Sequence, residues 1–176
     1  ILSGLVGSEM CIRDRIMKVP FGKYVPSIIT KNNSSREIQL YLDSVKKDFD
    51  NAIYGHEKAK QQLLKILAQT ISNPEEGGNI FALQGPPGVG KTELIKSGIA
   101  KALGRPYSFV SLGGAKDSSY LDGHDYTYEG SNNGRIIDIL IETKTMNPII
   151  YFDELDKVSD SSYGQEIINC LMHITD

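Results

Sequence analysis

Residues 85–92 read GPPGVGKT, from Gly85 to Thr92, and an apolar run, NIFALQ at 79–84, leads straight into them. The stretch fits G-x-x-x-x-G-K-[ST] at every fixed position and lies between a predicted strand and a predicted helix, the setting a phosphate-binding loop requires. Gly85, Gly88 and Gly90 permit backbone conformations closed to other residues, so N–H groups can approach phosphate oxygens while the following helix turns its positive end toward them. Pro86, Pro87 and Val89 complete the loop. Lys91 would reach the β- and γ-phosphates of a bound nucleotide, and Thr92 would place its hydroxyl on Mg²⁺. A Gly/Pro-rich turn that merely precedes a lysine is the bland alternative, and the strand-to-helix setting weighs against it.

A loop that serves hydrolysis needs two further groups: a carboxylate for Mg²⁺ and one to orient or deprotonate the attacking water. The run IIYFDE at 149–154 supplies both. Asp153, at the C-terminal end of an apolar strand, is expected beside the phosphate loop, where ligands of open parallel sheets collect, and Glu154 is the candidate general base. Adjacent acids after an apolar strand also occur in helix caps, so the pair draws its meaning from the loop. ATP and Mg²⁺ are therefore the expected ligands, with Lys91, Asp153 and Glu154 catalytic and with Thr92 and Asp153 on the metal.

Around these motifs short apolar runs alternate with helical patterns. The series runs strand Ile80 to Gln84, helix Thr92 to Leu103, strand Tyr107 to Ser111, helix Arg135 to Thr145, strand Ile149 to Phe152 and helix Gln165 to Ile174. That order predicts an α/β fold with a parallel sheet flanked by helices. The run IIYF lacks polar alternation, which predicts a strand covered on both faces. Upstream, Ser34 and Glu37 have the spacing of a capping box, opening an amphipathic helix to Asp50. A second amphipathic helix runs from Glu57 to about Ser72 and is stopped by NPEEGGN. Residues 20–33, PFGKYVPSIITKNN, read as an irregular lead-in.

With 176 residues, 40% apolar and 23% charged, the chain has the composition of a globular domain. Its net charge of -3 argues against a surface built for nucleic acid or anionic lipid. The two cysteines, Cys11 and Cys170, are too few and too far apart for a disulfide framework or metal knuckle, which points to a reducing, cytoplasmic compartment. No run approaches the roughly 18 apolar residues of a membrane span. His56, His124 and His173 are scattered, so no metal site is expected beyond Mg²⁺. The first residues, ILSGLVGSEMCIRDR, fit neither a signal peptide nor a folded element and resemble translated sequencing adapter. Residues 1–16 are therefore expected to be a non-native leader, 17–50 a lead-in with its helix, and 51–176 a partial nucleotide-binding domain.

GPPGVGKT followed by KALGRPYSFVSLGGAKD, GHDYTYEG, GRIIDIL and NPIIYFDELDKVS resembles the ATPase domain of Lon proteases, members of the AAA+ superfamily of P-loop NTPases. SLGGAKD and GHDYTYEG are the most specific parts, because a generic AAA+ module shares only the nucleotide motifs. The resemblance implies a hexameric ring in which ATP hydrolysis moves pore loops that unfold and translocate a protein substrate. It also implies that Ile53, Tyr54 and Gly55 lie near the adenine, and that Tyr128 in TYEG grips the substrate chain. An aromatic ring can grip any peptide by apolar contact without reading its sequence. Glu129, Asn132 and Asn133 depart from the family pattern near this loop, and Asp125 and Tyr126 stand where basic residues are frequent.

The chain ends at Asp176, before the positions where the family places its sensor asparagine, arginine finger, small helical subdomain and Ser-Lys protease dyad, so the resemblance implies a C-terminally truncated motor. Ser111, Ser118 and Ser119 read as loop and strand-end residues, not nucleophiles. Two other functions compete. A clamp-loader or branch-migration type of AAA+ nucleic-acid remodeller would need basic inward loops, yet residues 116–134 contain Asp117, Asp122, Asp125 and Glu129 and no arginine. A non-hydrolysing scaffold would expect a damaged loop or acid pair, and both are intact.

Overall fold

The computed structural model describes residues 14–73, 80–115, 117–123, 134–158 and 162–175. The chain divides into two units, Pro26–Pro106 and a second made of Ile1–Val25 with Tyr107–Asp176.

In the first unit, helix α1 (Ser35–Ala52) opens on the expected capping box. Ser34 Oγ accepts the Glu37 N–H at 3.3 Å, and Glu37 Oε2 accepts the Ser34 N–H at 2.8 Å. That Ser34 N–H, aided by the Ser34 hydroxyl, holds the Glu37 carboxyl below its ordinary value. Helix α2 (Glu57–Ser72) has the expected bounds and buries Leu63, Leu67 and Ile71 along one face. The helical run 91–103, here α3, is α-helical over Lys91–Glu93, π-helical over Leu94–Ala100 and α-helical again over Lys101–Leu103. It closes at Gly104, where the Gly104 N–H reaches Lys101 O and the Arg105 N–H reaches Ala100 O, the paired bonds of a Schellman end.

Helices α1 and α3 meet where α3 has no side chain. A Cβ on Gly98 would lie 2.7 Å from the ring of Phe49, itself fully buried. Tyr41 adds a hydroxyl donated to Ala102 O at 2.6 Å, and burial pushes that phenol's pKa up.

In the second unit, β1 (Tyr107–Ser111) pairs in parallel with β2 (Ile149–Asp153), in a register that sets Phe109 opposite Tyr151 and Ser111 opposite Asp153. Between them run α4 (Ser119–Asp122) and α5 (Gly134–Thr143); after β2 come a 3₁₀ turn (Leu155–Lys157) and α6 (Ser162–Thr175). One face of the strand pair supplies Val110, Ile150 and Phe152 to a core with Leu112, Leu121, Ile139, Ile167 and Cys170. The other face carries Tyr107, Phe109 and Tyr151 and ends in Ser111 and Asp153. The lead-in is stitched to the turn before β2: Lys23 O accepts the Met146 N–H at 2.8 Å, and the Asn147 side chain bonds both Val25 N–H and Val25 O.

Three expectations need correction. Residues 80–84 form no strand among the described residues, and the sheet there has two strands. Phe81 and Leu83 are half-buried while Ile80, Ala82 and Gln84 are exposed, so the run has a strand's side-chain period without a hydrogen-bonded partner. Apolar patterning reports faces, and only a ladder makes a strand. Strand β2 is half-buried at all five residues and not enclosed, since its described sheet offers one neighbour. Helix α5 stops at Thr143, two residues early, where Lys144 turns left-handed (φ 56°) and Thr145 Oγ binds Lys23 O. Tyr128, with Asp125, Tyr126, Glu129, Asn132 and Asn133, lies outside the described residues, as does all of the expected leader except residues 14–16.

Candidate nucleotide site

The phosphate loop takes its shape from its backbone. Gly88 (φ 78°) and Gly90 (φ 87°) are both in the left-handed region, where a Cβ costs roughly 1–2 kcal/mol. Gly90 is doubly constrained, because a Cβ there would lie 2.8 Å from Ile53 Cγ2. Helix α3 begins at the next residue, and Lys91 folds back to donate to Gly85 O at 2.6 Å and Pro86 O at 3.0 Å. The ammonium is thus held against the first carbonyls of the loop, and the next residue, Thr92, is half-buried. Pro86 and Pro87 are exposed, and Val89 packs inward toward Gly85.

The segment expected near the adenine belongs to the same unit as the loop. Ile53 ends α1 in an extended conformation and presses on Gly90, which joins the two expected parts of the site directly. Tyr54 is fully exposed, and Gly55 is left-handed at φ 73°. An exposed ring next to a phosphate loop offers a face for stacking.

The acid pair terminates β2 in the other unit. Asp153 Oδ1 accepts the Glu154 N–H at 2.9 Å and faces the Tyr151 hydroxyl at 3.4 Å. Its main-chain carbonyl extends the ladder by accepting the Leu112 N–H at 2.9 Å. Glu154 is left-handed at φ 62°, an uncommon state for a residue with a side chain and one that recurs where function requires it. Both of its carboxylate oxygens are engaged: Lys157 Nζ donates to Oε1, and Ser111 Oγ donates to Oε2 at 2.6 Å. The Lys157 bond first, then that of Ser111, holds the Glu154 carboxyl below its ordinary value, and Lys157 is raised in return by the same bond. Gly113 makes room for this carboxylate, since a Cβ there would lie 2.6 Å from Oε2. Glu154 is therefore an ionised, doubly held acceptor at neutral pH.

From sequence Ser111 reads as a strand-end residue, and neither Lys157 nor Gly113 is among the expected site residues. Lys157 had a local signal, three residues after Glu154, whereas Ser111 is separated from it by 43 residues and is found only through the strand register. The Thr92 hydroxyl in one unit and the Asp153 carboxylate in the other are each an oxygen donor of the kind a hard cation such as Mg²⁺ accepts, and that ion keeps most of its shell for water and phosphate. Among the described residues there is no cluster of three or more His, Cys, Asp or Glu side chains, so such an ion would depend on the nucleotide for its other ligands. Among them, too, no helix is long and apolar enough to cross a membrane.

A family profile described as "ATPase family associated with various cellular activities (AAA)" matches residues 81–176. The chain is 44% identical over 144 residues to a Lon protease homolog of Acanthamoeba polyphaga mimivirus, covering 82% of this chain and 14% of that relative. It is 39% identical over 149 residues to the Lon protease of Wolbachia pipientis subsp. Culex pipiens, covering 85% of this chain and 17% of the relative. To the Lon protease of Aster yellows witches'-broom phytoplasma it is 37% identical over 177 residues, 99% of this chain and 21% of the relative. The chain thus spans 14–21% of the length of these curated relatives.

Proposed function

The chain belongs to the ATPase family associated with various cellular activities and is Lon-like within it, and on that premise we propose that it is the ATP-hydrolysing motor of an ATP-dependent protease. The observation that carries the reading is the loop itself: two left-handed glycines and a lysine folded back onto the loop's first carbonyls, opening a helix. In this reading the loop from Gly85 to Gly90 surrounds the phosphates: Gly88, Val89 and Gly90 present backbone N–H groups, and Pro86 and Pro87, which have none, fix the turn. Lys91 draws charge from the β- and γ-oxygens, while Tyr54 and Gly55 flank the adenine. Mg²⁺, held through Thr92 and Asp153, would neutralise charge on the same oxygens. Glu154 accepts a proton from the water whose oxygen attacks the γ-phosphorus, and ADP leaves with the bond electrons on its β-phosphate oxygen. Glu154 keeps acceptor capacity for that proton, since Lys157 and Ser111 each take one lone pair on a different oxygen.

The energy released would move Tyr128 against a polypeptide in a ring of subunits, coupling hydrolysis to unfolding and translocation of a protein substrate. A cytoplasmic, reducing compartment suits the buried free thiol of Cys170. The test uses two variants of the longer protein that contains this chain. Lys91→Ala should weaken Mg-ATP binding about 100-fold, whereas Glu154→Gln should bind normally and lose about 10²–10⁴ in turnover. Equal turnover in Glu154→Gln and the parent protein would remove the base from this assignment, and unchanged binding in Lys91→Ala would remove the site.

A further inference from the structure

Lys60 is the one charged residue in the buried core of the described chain, with its side chain 4% exposed. Its Nζ donates to Asp50 Oδ1 at 2.8 Å, and Glu57 Oε1 lies 3.8 Å away. Glu57 faces Lys60 within α2, but the Asp50–Lys60 bond serves neither helix. Asp50 is in the last turn of α1 and Lys60 ends the first turn of α2, so each charge opposes the dipole of the helix that carries it. Burying the lysine stem would be done at least as well by an apolar side chain of the same length. A pair placed against both helices and across their junction is best explained by what it closes.

What it closes is the connection 53–56. Gly55 and His56 are consecutive left-handed residues (φ 73° and 57°), and for His56 that conformation is strained. His56 makes no side-chain cap bond to compensate. The same connection presents Ile53 to Gly90 and leaves Tyr54 in solvent. We infer that the Asp50–Lys60 ion pair is a clamp that holds this strained turn in place, and so positions the base-side wall of the nucleotide site. Lys60 is thereby a positioning residue for the adenosine moiety, contributing nothing to phosphate binding. The inference deepens the nucleotide reading above and rests on it.

The discriminating measurement is calorimetric titration of Lys60→Met with Mg-ATP and, separately, with Mg-tripolyphosphate, which has the phosphates and no base. Methionine can fill the buried stem's space, and Asp50, 47% exposed, can be solvated when its partner is gone. Mg-ATP affinity should fall about tenfold, tripolyphosphate affinity should stay within about twofold, and Lys60→Arg should recover most of the loss. Mg-ATP affinity within about twofold of the parent overturns the clamp, as does an equal loss for both ligands. If Lys60→Met does not fold, the Asp50→Leu/Lys60→Met pair removes both charges and is titrated in its place; failure of both to fold makes the pair scaffolding and ends the inference. A parent chain that binds tripolyphosphate and ATP equally well overturns the base-side wall alone. One that binds neither overturns the nucleotide reading and the clamp with it.

Discussion

The phosphate loop and the acid pair are built by opposite means. Gly85–Thr92 is contiguous, and its geometry comes from left-handed backbone at Gly88 and Gly90 and from a lysine that bonds carbonyls five and six residues back. Asp153 and Glu154 are adjacent too, but the Glu154 carboxylate is set by side chains from elsewhere: Ser111 across the strand pair and Lys157 in the next turn. A loop written in its own backbone tolerates little local change. A carboxylate steered by neighbours can be displaced while the rest of its unit stands.

Two glycines put that contrast to the test, and Gly90 should give the largest effect. An alanine there combines a left-handed residue, costing roughly 1–2 kcal/mol, with a methyl 2.8 Å from Ile53 Cγ2, an overlap typically costing about 1–3 kcal/mol. Because the loop must move to relieve both, Gly90→Ala should lower Mg-ATP affinity by more than about 30-fold in equilibrium titration. Binding within about threefold of the parent would show that the loop's shape does not depend on this residue.

Gly113 is the counterpart beside the acid pair, and its effect should be smaller and of another kind. Its φ is not left-handed, and the group that an added Cβ would strike is the movable end of Glu154, at 2.6 Å. The variant Gly113→Ala should therefore bind Mg-ATP normally and lose about tenfold in steady-state hydrolysis, through displacement of Glu154, the proposed base. Binding and turnover falling together would mean that the two regions are less separable than their construction implies.

The same contrast explains what was legible in the sequence. The capping box at Ser34, the bounds of α2, the turn that opens a helix at 85–92 and the strand end at Asp153 were each readable because their signals are local, within a few residues or one helical period. That 80–84 lacks a ladder was not readable, since an apolar run records which faces are covered and says nothing about which backbone lies alongside. Ser111 and Asp50–Lys60 were missed for a related reason. A serine at a strand end and a lysine in an amphipathic helix have ordinary local readings, and only tertiary placement aims one at Glu154 and buries the other.

Gly98→Ala should have the smallest effect, and it asks whether the loop's support is as rigid as the loop. Alanine is favoured over glycine in a helix interior by about 0.5–1 kcal/mol, whereas overpacking against Phe49, 2.7 Å from the new methyl, costs about 1–3 kcal/mol. The net is a loss of about 0–2.5 kcal/mol, read as a lower urea midpoint at unchanged m-value. A gain in stability would show that the Phe49 ring yields freely. Nucleotide affinity of the folded variant sharpens the result, because Phe49 O accepts the Ile53 N–H at 3.2 Å and Ile53 is the residue pressed on Gly90. A ring that tilts in place would leave Mg-ATP binding unchanged. A ring that pushes the end of α1 outward would move Ile53 with it and weaken binding, making the helix before the loop part of what shapes it.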